Sequence, residues 1–252
     1  MNDSPPYLAV VPAYNECATV GRVVRSIREN APRYDVVVID DGSTDATASE
    51  AAAAGAKVIR HPYNLGIGGA VQSGFTYALE NGYRRLVQVD ADGQHEPAEI
   101  AKLEAAMDED PSLDMVCGSR FLERIQYAAP ISRRTGIHIF AFLLSRIVGQ
   151  RVTDPTAGFR LYNRRGIALF ARDYPHDYPE VEAVLMVHYH RLKMREVAVT
   201  MYQRGGGVSS IRSGKSIYYM LKVLLAIAVG LVRERPVIEP GDEAAVTAAH
   251  GI

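Results

Sequence analysis

The stretch Leu86-Val87-Gln88-Val89-Asp90-Ala91-Asp92-Gly93-Gln94-His95 decides how this chain is read. Its first half alternates apolar residues in a way that suits a buried strand, and its second half places two carboxylates and an amide on a turn containing glycine. In an open α/β sheet, ligands bind outside the carboxyl ends of the strands, so Asp90, Asp92 and Gln94 are expected at a crevice. Two hard oxygen donors one residue apart, with a third two residues on, suit Mg2+ or Mn2+ that keeps its remaining positions for water and a substrate diphosphate. The plainer alternative for the same residues is an acidic turn capping the next helix.

Upstream, Tyr7 to Val11 reads as a first buried strand ending in Pro12-Ala13-Tyr14-Asn15-Glu16, where proline is expected to stop the ladder and a ligand-binding loop to begin. Val20, Val23, Val24 and Ile27 recur at helical spacing, and Val36-Val37-Val38-Ile39 reads as a central parallel strand. Asp40-Asp41-Gly42-Ser43-Thr44-Asp45 puts carboxylates at that strand's end and a Ser/Thr cap at the start of the alanine-rich helix through Ala54. Lys57 to Arg60 is a short third strand. Asn64-Leu65-Gly66-Ile67-Gly68-Gly69-Ala70 lacks a full G-x-G-x-x-G pattern, so its glycines are read mainly as allowing close backbone approach at a helix start. Pro97 suits the first turn of a helix ending near Met107. Strands and helices alternating with short connections predict a parallel sheet with right-handed crossovers.

The second half adds fixed positive charge. Met115 to Ser119 reads as a strand ending on Arg120, and Arg133-Arg134 precedes the apolar segment Ile137 to Val148. Thr153 to Arg160 mixes turn formers with a strand start, Glu180-Val181-Glu182 opens a helix reaching His190, and Val197 to Tyr202 reads as a strand. The following loop, Arg204-Gly205-Gly206-Gly207-Val208-Ser209-Ser210, has the composition of a mobile phosphate clamp or of a solvated linker. Ile217 to Val232 is apolar nearly all round, with tyrosines and Lys222 toward one end and Arg233 and Arg235 beyond the other. It suits a helix lying in the headgroup region or docking on an integral membrane partner, with a buried packing helix as the alternative. The tail after Pro236 shows no strong pattern and is expected to be disordered.

With 28 basic and 29 acidic residues among 252, the net charge of −1 gives no argument for nucleic acid, and any basic site must be local. Cys17 and Cys117 have no spacing that suggests a zinc site or redox pair, and the N-terminus lacks a signal-peptide pattern. A cytoplasmic protein is the expectation. The organisation expected is a catalytic domain over 1–214, a membrane-interface helix over 215–235 and a disordered tail over 236–252.

Taken in order, Val11-Pro12-Ala13-Tyr14-Asn15-Glu16, Ile39-Asp40-Asp41-Gly42-Ser43, Asn64-Leu65-Gly66, Asp90-Ala91-Asp92-Gly93-Gln94, Gly118-Ser119-Arg120, Gly158-Phe159-Arg160 and the Arg204 loop resemble the family 2 inverting glycosyltransferases of GT-A fold. Within them the set is similar to the polyprenyl-phosphate, dolichol-phosphate mannose synthase-like branch. The resemblance implies a mostly parallel central sheet flanked by helices. It implies that Pro12, Tyr14, Glu16, Ile39, Asp40 and Asp41 line a nucleotide-sugar pocket. Asp90, Asp92 and Gln94 would hold Mg2+ or Mn2+ against the diphosphate, with Ala91 in backbone contact. Arg120 and one of Arg133 or Arg134 would bind an acceptor phosphate, and Arg204 would close over the donor. Asp92, Arg120 and Arg204 are the residues expected to carry catalysis.

Two positions depart from that branch. Ser210 stands where a lysine is usual six residues beyond the loop arginine, and Gly136, Ile137 and His138 occupy the region of an acceptor-site serine. The activity implied is transfer of a hexose, from a UDP-glucose or GDP-mannose type of donor, to polyprenyl phosphate at the inner face of the cell membrane. A transferase acting on a sugar hydroxyl is the competing expectation. It would need a carboxylate base, for which Asp154, Glu180 and Glu182 are candidates.

Overall fold

The structure, a computed structural model, describes residues 7–122, 131–175 and 179–202. The described chain runs β1 (Tyr7–Ala13), α1 (Val20–Asn30), β2 (Tyr34–Asp40), α2 (Thr47–Ala53), β3 (Lys57–Arg60), α3 (Gly66–Glu80) and β4 (Arg85–Gln88). A 3-10 turn (Pro97–Glu99) leads into α4 (Ile100–Glu109), followed by β5 (Met115–Ser119), α5 (Ile131–Val148), β6 (Arg160–Asn163), α6 (Arg164–Arg172), α7 (Pro179–Tyr189) and β7 (Met194–Ala198).

The strands form one sheet in the order β3-β2-β1-β4-β6-β5-β7. β1 to β4 are mutually parallel, β6 is antiparallel to both β4 and β5, and β5 pairs parallel with β7. The expected mostly parallel sheet is therefore present. The order reverses beside β1, since the chain moves outward through β2 and β3 and then returns to β4 on the other flank. That reversal opens a crevice at the carboxyl ends of β1 and β4, where crossovers diverge and ligands bind in such sheets.

Alternation along the strands builds a core on each face. Val10, Ile39, Leu86 and Met115 face one way, onto Phe75, Tyr162 and Phe170. Val11, Val38, Val87 and Val116 face the other, onto Val23, Ile27, Ile100 and Leu103. α3 lies close against β1 because Gly74 has no side chain there: a Cβ would stand 2.3 Å from Val10 Cγ1. Close approach is the role expected of glycine in this helix, although Gly74 lies a turn beyond the glycine cluster singled out from the sequence.

Several boundaries differ from the sequence expectation, each for a local reason. β1 runs through Pro12 to Ala13 rather than stopping at Val11. Val10 accepts from the Val89 amide at 3.0 Å and Ala13 from the Asp41 amide at 2.9 Å, so even positions face β4 and odd ones face β2. Pro12 therefore faces β4 beyond Gln88, where pairing has ended, and its missing N–H breaks no ladder bond. α2 begins at Thr47 with no side-chain cap at Ala46, so Ser43 and Thr44 are not its caps. β7 begins at Met194, three residues earlier than expected; it is an edge strand in which Arg195 pairs with Glu109 and Glu196 turns to the Thr153-Asp154 backbone, and these polar residues mask the pattern. α6 had no counterpart in the sequence reading, though Asn163 caps it by accepting from the Gly166 amide at 2.9 Å.

Candidate active site

The acidic turn leaves β4 at the crevice, with its backbone fixed from both sides. The Asp90 amide donates to His95 Nδ1 at 3.0 Å, and the Gln94 amide donates to Asp92 Oδ1 at 3.0 Å. Gly93 takes φ +75°, the left-handed conformation the turn requires. From the far end of the chain, the Tyr202 amide donates to the Gln94 carbonyl at 2.8 Å, and Met201 bridges His95. The residues before Arg204 are thus laid along the acidic turn; Arg204 itself lies outside the described residues.

His95 lies against Phe159, and burial pushes its pKa down to about 4 while the nearby Asp92 charge works to raise it. Its Nε2 sits 3.6 Å from Asp90 Oδ2, but a neutral ring makes no ion pair there. Because Nδ1 accepts from an amide, the remaining ring proton is on Nε2.

Asp90 and Asp92 present the donor chemistry of a hard divalent cation. Gly158 leaves room beside the first of them, where a Cβ would stand 3.2 Å from Asp90 Oδ2. Among the described residues no three His, Cys, Asp or Glu side chains gather into a metal-holding group. The pair therefore fits an ion that completes its shell with water and ligand oxygens, as Mg2+ and Mn2+ do, rather than one caged by protein.

The other expected pocket residues separate into two sets. Tyr14 is 47% exposed at the crevice, and Asn15 behind it adopts φ +54°. The loop holding them is stitched to the end of β2: the Asn15 amide donates to Ser43 Oγ at 2.9 Å, the Thr44 amide to Asn15 Oδ1 at 2.9 Å and the Glu16 amide to Thr47 Oγ1 at 2.8 Å. That stitching is what Ser43 and Thr44 do in place of capping.

By contrast, Ile39 is fully buried, with its side chain in the core. Asp40 and Asp41 are turned inward as well. Asp40 Oδ1 accepts from the Ser43 amide at 3.0 Å. The carboxylate of Asp41 accepts from the amides of Leu65 and Gly66, both at 2.8 Å, and its Oδ1 lies 2.8 Å from His61 Nδ1. It fixes the turn into α3. Beside it, Gly42, Ser43, Thr44, Arg60, His61 and Pro62 line an open cleft of about 470 Å³.

Arg120 stands at the end of β5, buried, with a bidentate grip on Asp154: Nε to Oδ2 at 2.6 Å and Nη2 to Oδ1 at 2.7 Å. Asp154, a candidate base from sequence, is thus an arginine partner. Arg133 and Arg134 fall in the first turn of α5, and their side chains lie outside the description. Glu180 opens α7; its carbonyl accepts from Arg160 Nη2 at 2.6 Å, and burial raises its side-chain pKa. His61 and Glu196 drew no role from sequence, and His95 none beyond its place in the acidic stretch. An isolated histidine or glutamate has no periodic pattern to mark it; only packing gives it partners.

An acidic turn at the switch point of a mostly parallel sheet, with helices on both faces, is the arrangement of the GT-A fold. Residues 8–169 match the family model described as Glycosyl transferase family 2, and the chain belongs to that family. It is 32% identical to the undecaprenyl-phosphate mannosyltransferase of Micrococcus luteus over 82% of this chain and 88% of that protein. It is 31% identical to the polyprenol monophosphomannose synthase of Mycolicibacterium smegmatis, covering 86% and 84%. In fold it resembles glucosyl-3-phosphoglycerate synthase from Mycobacterium tuberculosis, solved with Mn2+ and UDP-glucose, at a TM-score of 0.69 and 20% identity, over 93% of this chain and 80% of that one.

Proposed function

We propose that this glycosyltransferase moves a hexose from a nucleotide-diphosphate sugar, of the UDP-glucose or GDP-mannose type, to the phosphate of a polyprenyl lipid. The observation that carries this reading is the engagement of Asp154 by Arg120. A hydroxyl acceptor needs a carboxylate to take its proton, and the bidentate pair commits this one elsewhere. A phosphate acceptor needs none, because its second pKa of about 6 leaves it largely ionised at neutral pH. Relatives named for transfer to undecaprenyl phosphate and polyprenol phosphate support the same acceptor class.

In the reaction an acceptor phosphate oxygen attacks the anomeric carbon opposite the nucleoside diphosphate. The new C–O bond forms as the bond to the diphosphate breaks, giving one inverted polyprenyl-phosphate hexose. Tyr14 and Glu16 border the donor, with Pro12 and Asp41 fixing the loops behind them. Asp90 and Asp92, with Gln94, would hold Mg2+ or Mn2+, which supplies positive charge against the departing diphosphate. Arg204 would add charge over the donor, while Arg120 and Arg133 or Arg134 orient the acceptor phosphate. At the membrane, the exposed Ile139 and Phe142 of α5 and the apolar segment 217–232 would face the inner leaflet as a peripheral edge. Among the described residues no helix is long and apolar enough to cross a bilayer.

One observation favours a second reading. Glu180, at the start of α7, is a buried carboxyl whose pKa burial raises, and a more basic carboxylate would serve transfer to a sugar hydroxyl. The two are separated by incubating labelled nucleotide sugars and Mn2+ or Mg2+ with vesicles carrying polyprenyl phosphate, then extracting lipid. Label in the lipid from one donor supports the first reading and names the sugar; label only in an added saccharide would overturn it.

A further inference from the structure

We infer that Asp154, braced by Glu196, is a positioning residue that gives Arg120 its direction while cancelling most of its charge; this rests on the reading of Arg120 as a contact for the acceptor phosphate. Beyond the bidentate grip, the Arg120 amide donates to Asp154 Oδ2 at 3.1 Å, and Nη2 also donates to Thr156 Oγ1 at 2.7 Å. Thr156 in turn donates to Asp154 Oδ1 at 3.1 Å. Asp154 is 2% exposed and Arg120 5%, so solvent screens neither charge.

The turn that carries Asp154 is held by a second carboxylate from β7. Glu196 Oε1 accepts from the Asp154 amide at 2.9 Å, and Oε2 accepts from the Thr153 amide at 2.8 Å and the Thr153 hydroxyl at 2.7 Å. With the Thr153 proton given to Glu196, Ser119 is the donor in its 2.6 Å contact with Thr153 Oγ1, and Ser119 Oγ accepts from the Phe121 amide at 3.1 Å. The ring closes on the residues either side of Arg120.

A buried ion pair is a weak source of stability, since apolar residues of the same volume often do as well. Its gain here is geometric. A planar guanidinium locked along one side by a carboxylate has a single orientation, and misplacing a reacting group by about 1 Å can cost about 100-fold in rate. The attraction that brings a doubly charged phosphate to the site must then come from other cations, and Arg120 sets its angle.

The consequence is an unusual split between binding and turnover. Asp154→Asn leaves one oxygen to hold the arginine and removes the neutralising charge. We expect kcat for transfer to polyprenyl phosphate in vesicles to fall about tenfold or more, with acceptor KM unchanged or lower and tighter competitive inhibition by inorganic phosphate. Glu196→Gln keeps one accepting oxygen for the Thr153-Asp154 turn and should lower kcat about threefold with both KM values unchanged. Circular dichroism of both variants checks the fold, and if Asp154→Asn does not fold, Glu196→Gln decides. Acceptor KM rising with kcat preserved, donor and acceptor KM rising together, or wild-type turnover in a folded variant would each overturn the inference. Failure of the wild type to label lipid would instead overturn the reading of the acceptor.

Discussion

The amide of Asp90 donates to Nδ1 of His95 at 3.0 Å, so the first carboxylate of the acidic turn is aimed by a buried, neutral histidine five residues later. The ring does this without carrying charge. His95→Ala should strand that amide in a partly buried site and cost about 1–3 kcal/mol in urea unfolding. Turnover should fall more steeply than stability, because Asp90 loses its fixed direction. A variant with wild-type kcat would show that the histidine only fills space.

Asp92→Asn keeps an oxygen that can accept from the Gln94 amide, so the turn should survive. Thermal unfolding should stay within about 2 °C of wild type, a change under about 1 kcal/mol. Turnover should drop about 100-fold or more, the scale of losing a group that stabilises developing charge. Undiminished activity of the wild type in excess chelator would remove the metal assignment altogether.

Gly74→Val tests the contact that sets how closely α3 lies on β1. The added side chain enters space held by Val10 Cγ1, and the helix cannot withdraw without opening the core it shares with the strand. A loss of about 1–3 kcal/mol is expected from overpacking, with Gly74→Ala at the low end. Denaturant midpoints of the two variants measure it, and unchanged midpoints would mean that α3 shifts freely.

Acid should loosen the loop after β2. Burial works to raise the pKa of Asp45, but hydrogen bonds from Thr47 and Cys17 outweigh it and hold the carboxyl down to about 2, against an ordinary value of 3.8. A group lowered on folding contributes its stability in full above the unfolded value and loses it as pH falls through the folded one. Wild type should therefore lose stability between about pH 4 and pH 2 more steeply than Asp45→Asn, the two being compared by urea unfolding. Parallel curves would show that Asp45 carries no coupling.

Much of the frame was legible because it rests on local pattern. An apolar run ending at Pro12 marked β1, runs ending in carboxylates marked β2 and β4 and the crevice, and Pro97 marked the turn into α4. What escaped were features whose meaning is a partner distant in sequence. Ser43 and Thr44 have the chemistry of caps, yet their hydrogen bonds run to Asn15 in the loop after β1. Ile39 adjoins two aspartates in sequence but points into the core, because strand neighbours face opposite ways.

The sequence by itself determined that this is an α/β chain with an acidic turn after a central strand, because strand periodicity and glycine-bearing turns are encoded within about ten residues. It also determined which residue types, carboxylates and arginines, were present to meet a phosphate-bearing ligand. Only the tertiary structure decided which of those charges are already engaged. Arg120 and Asp154 lie 34 positions apart and meet because β5 and the turn before β6 close on one another. A charge left in solvent and a charge cancelled in the interior are written with the same letter, and burial is a property of the whole fold.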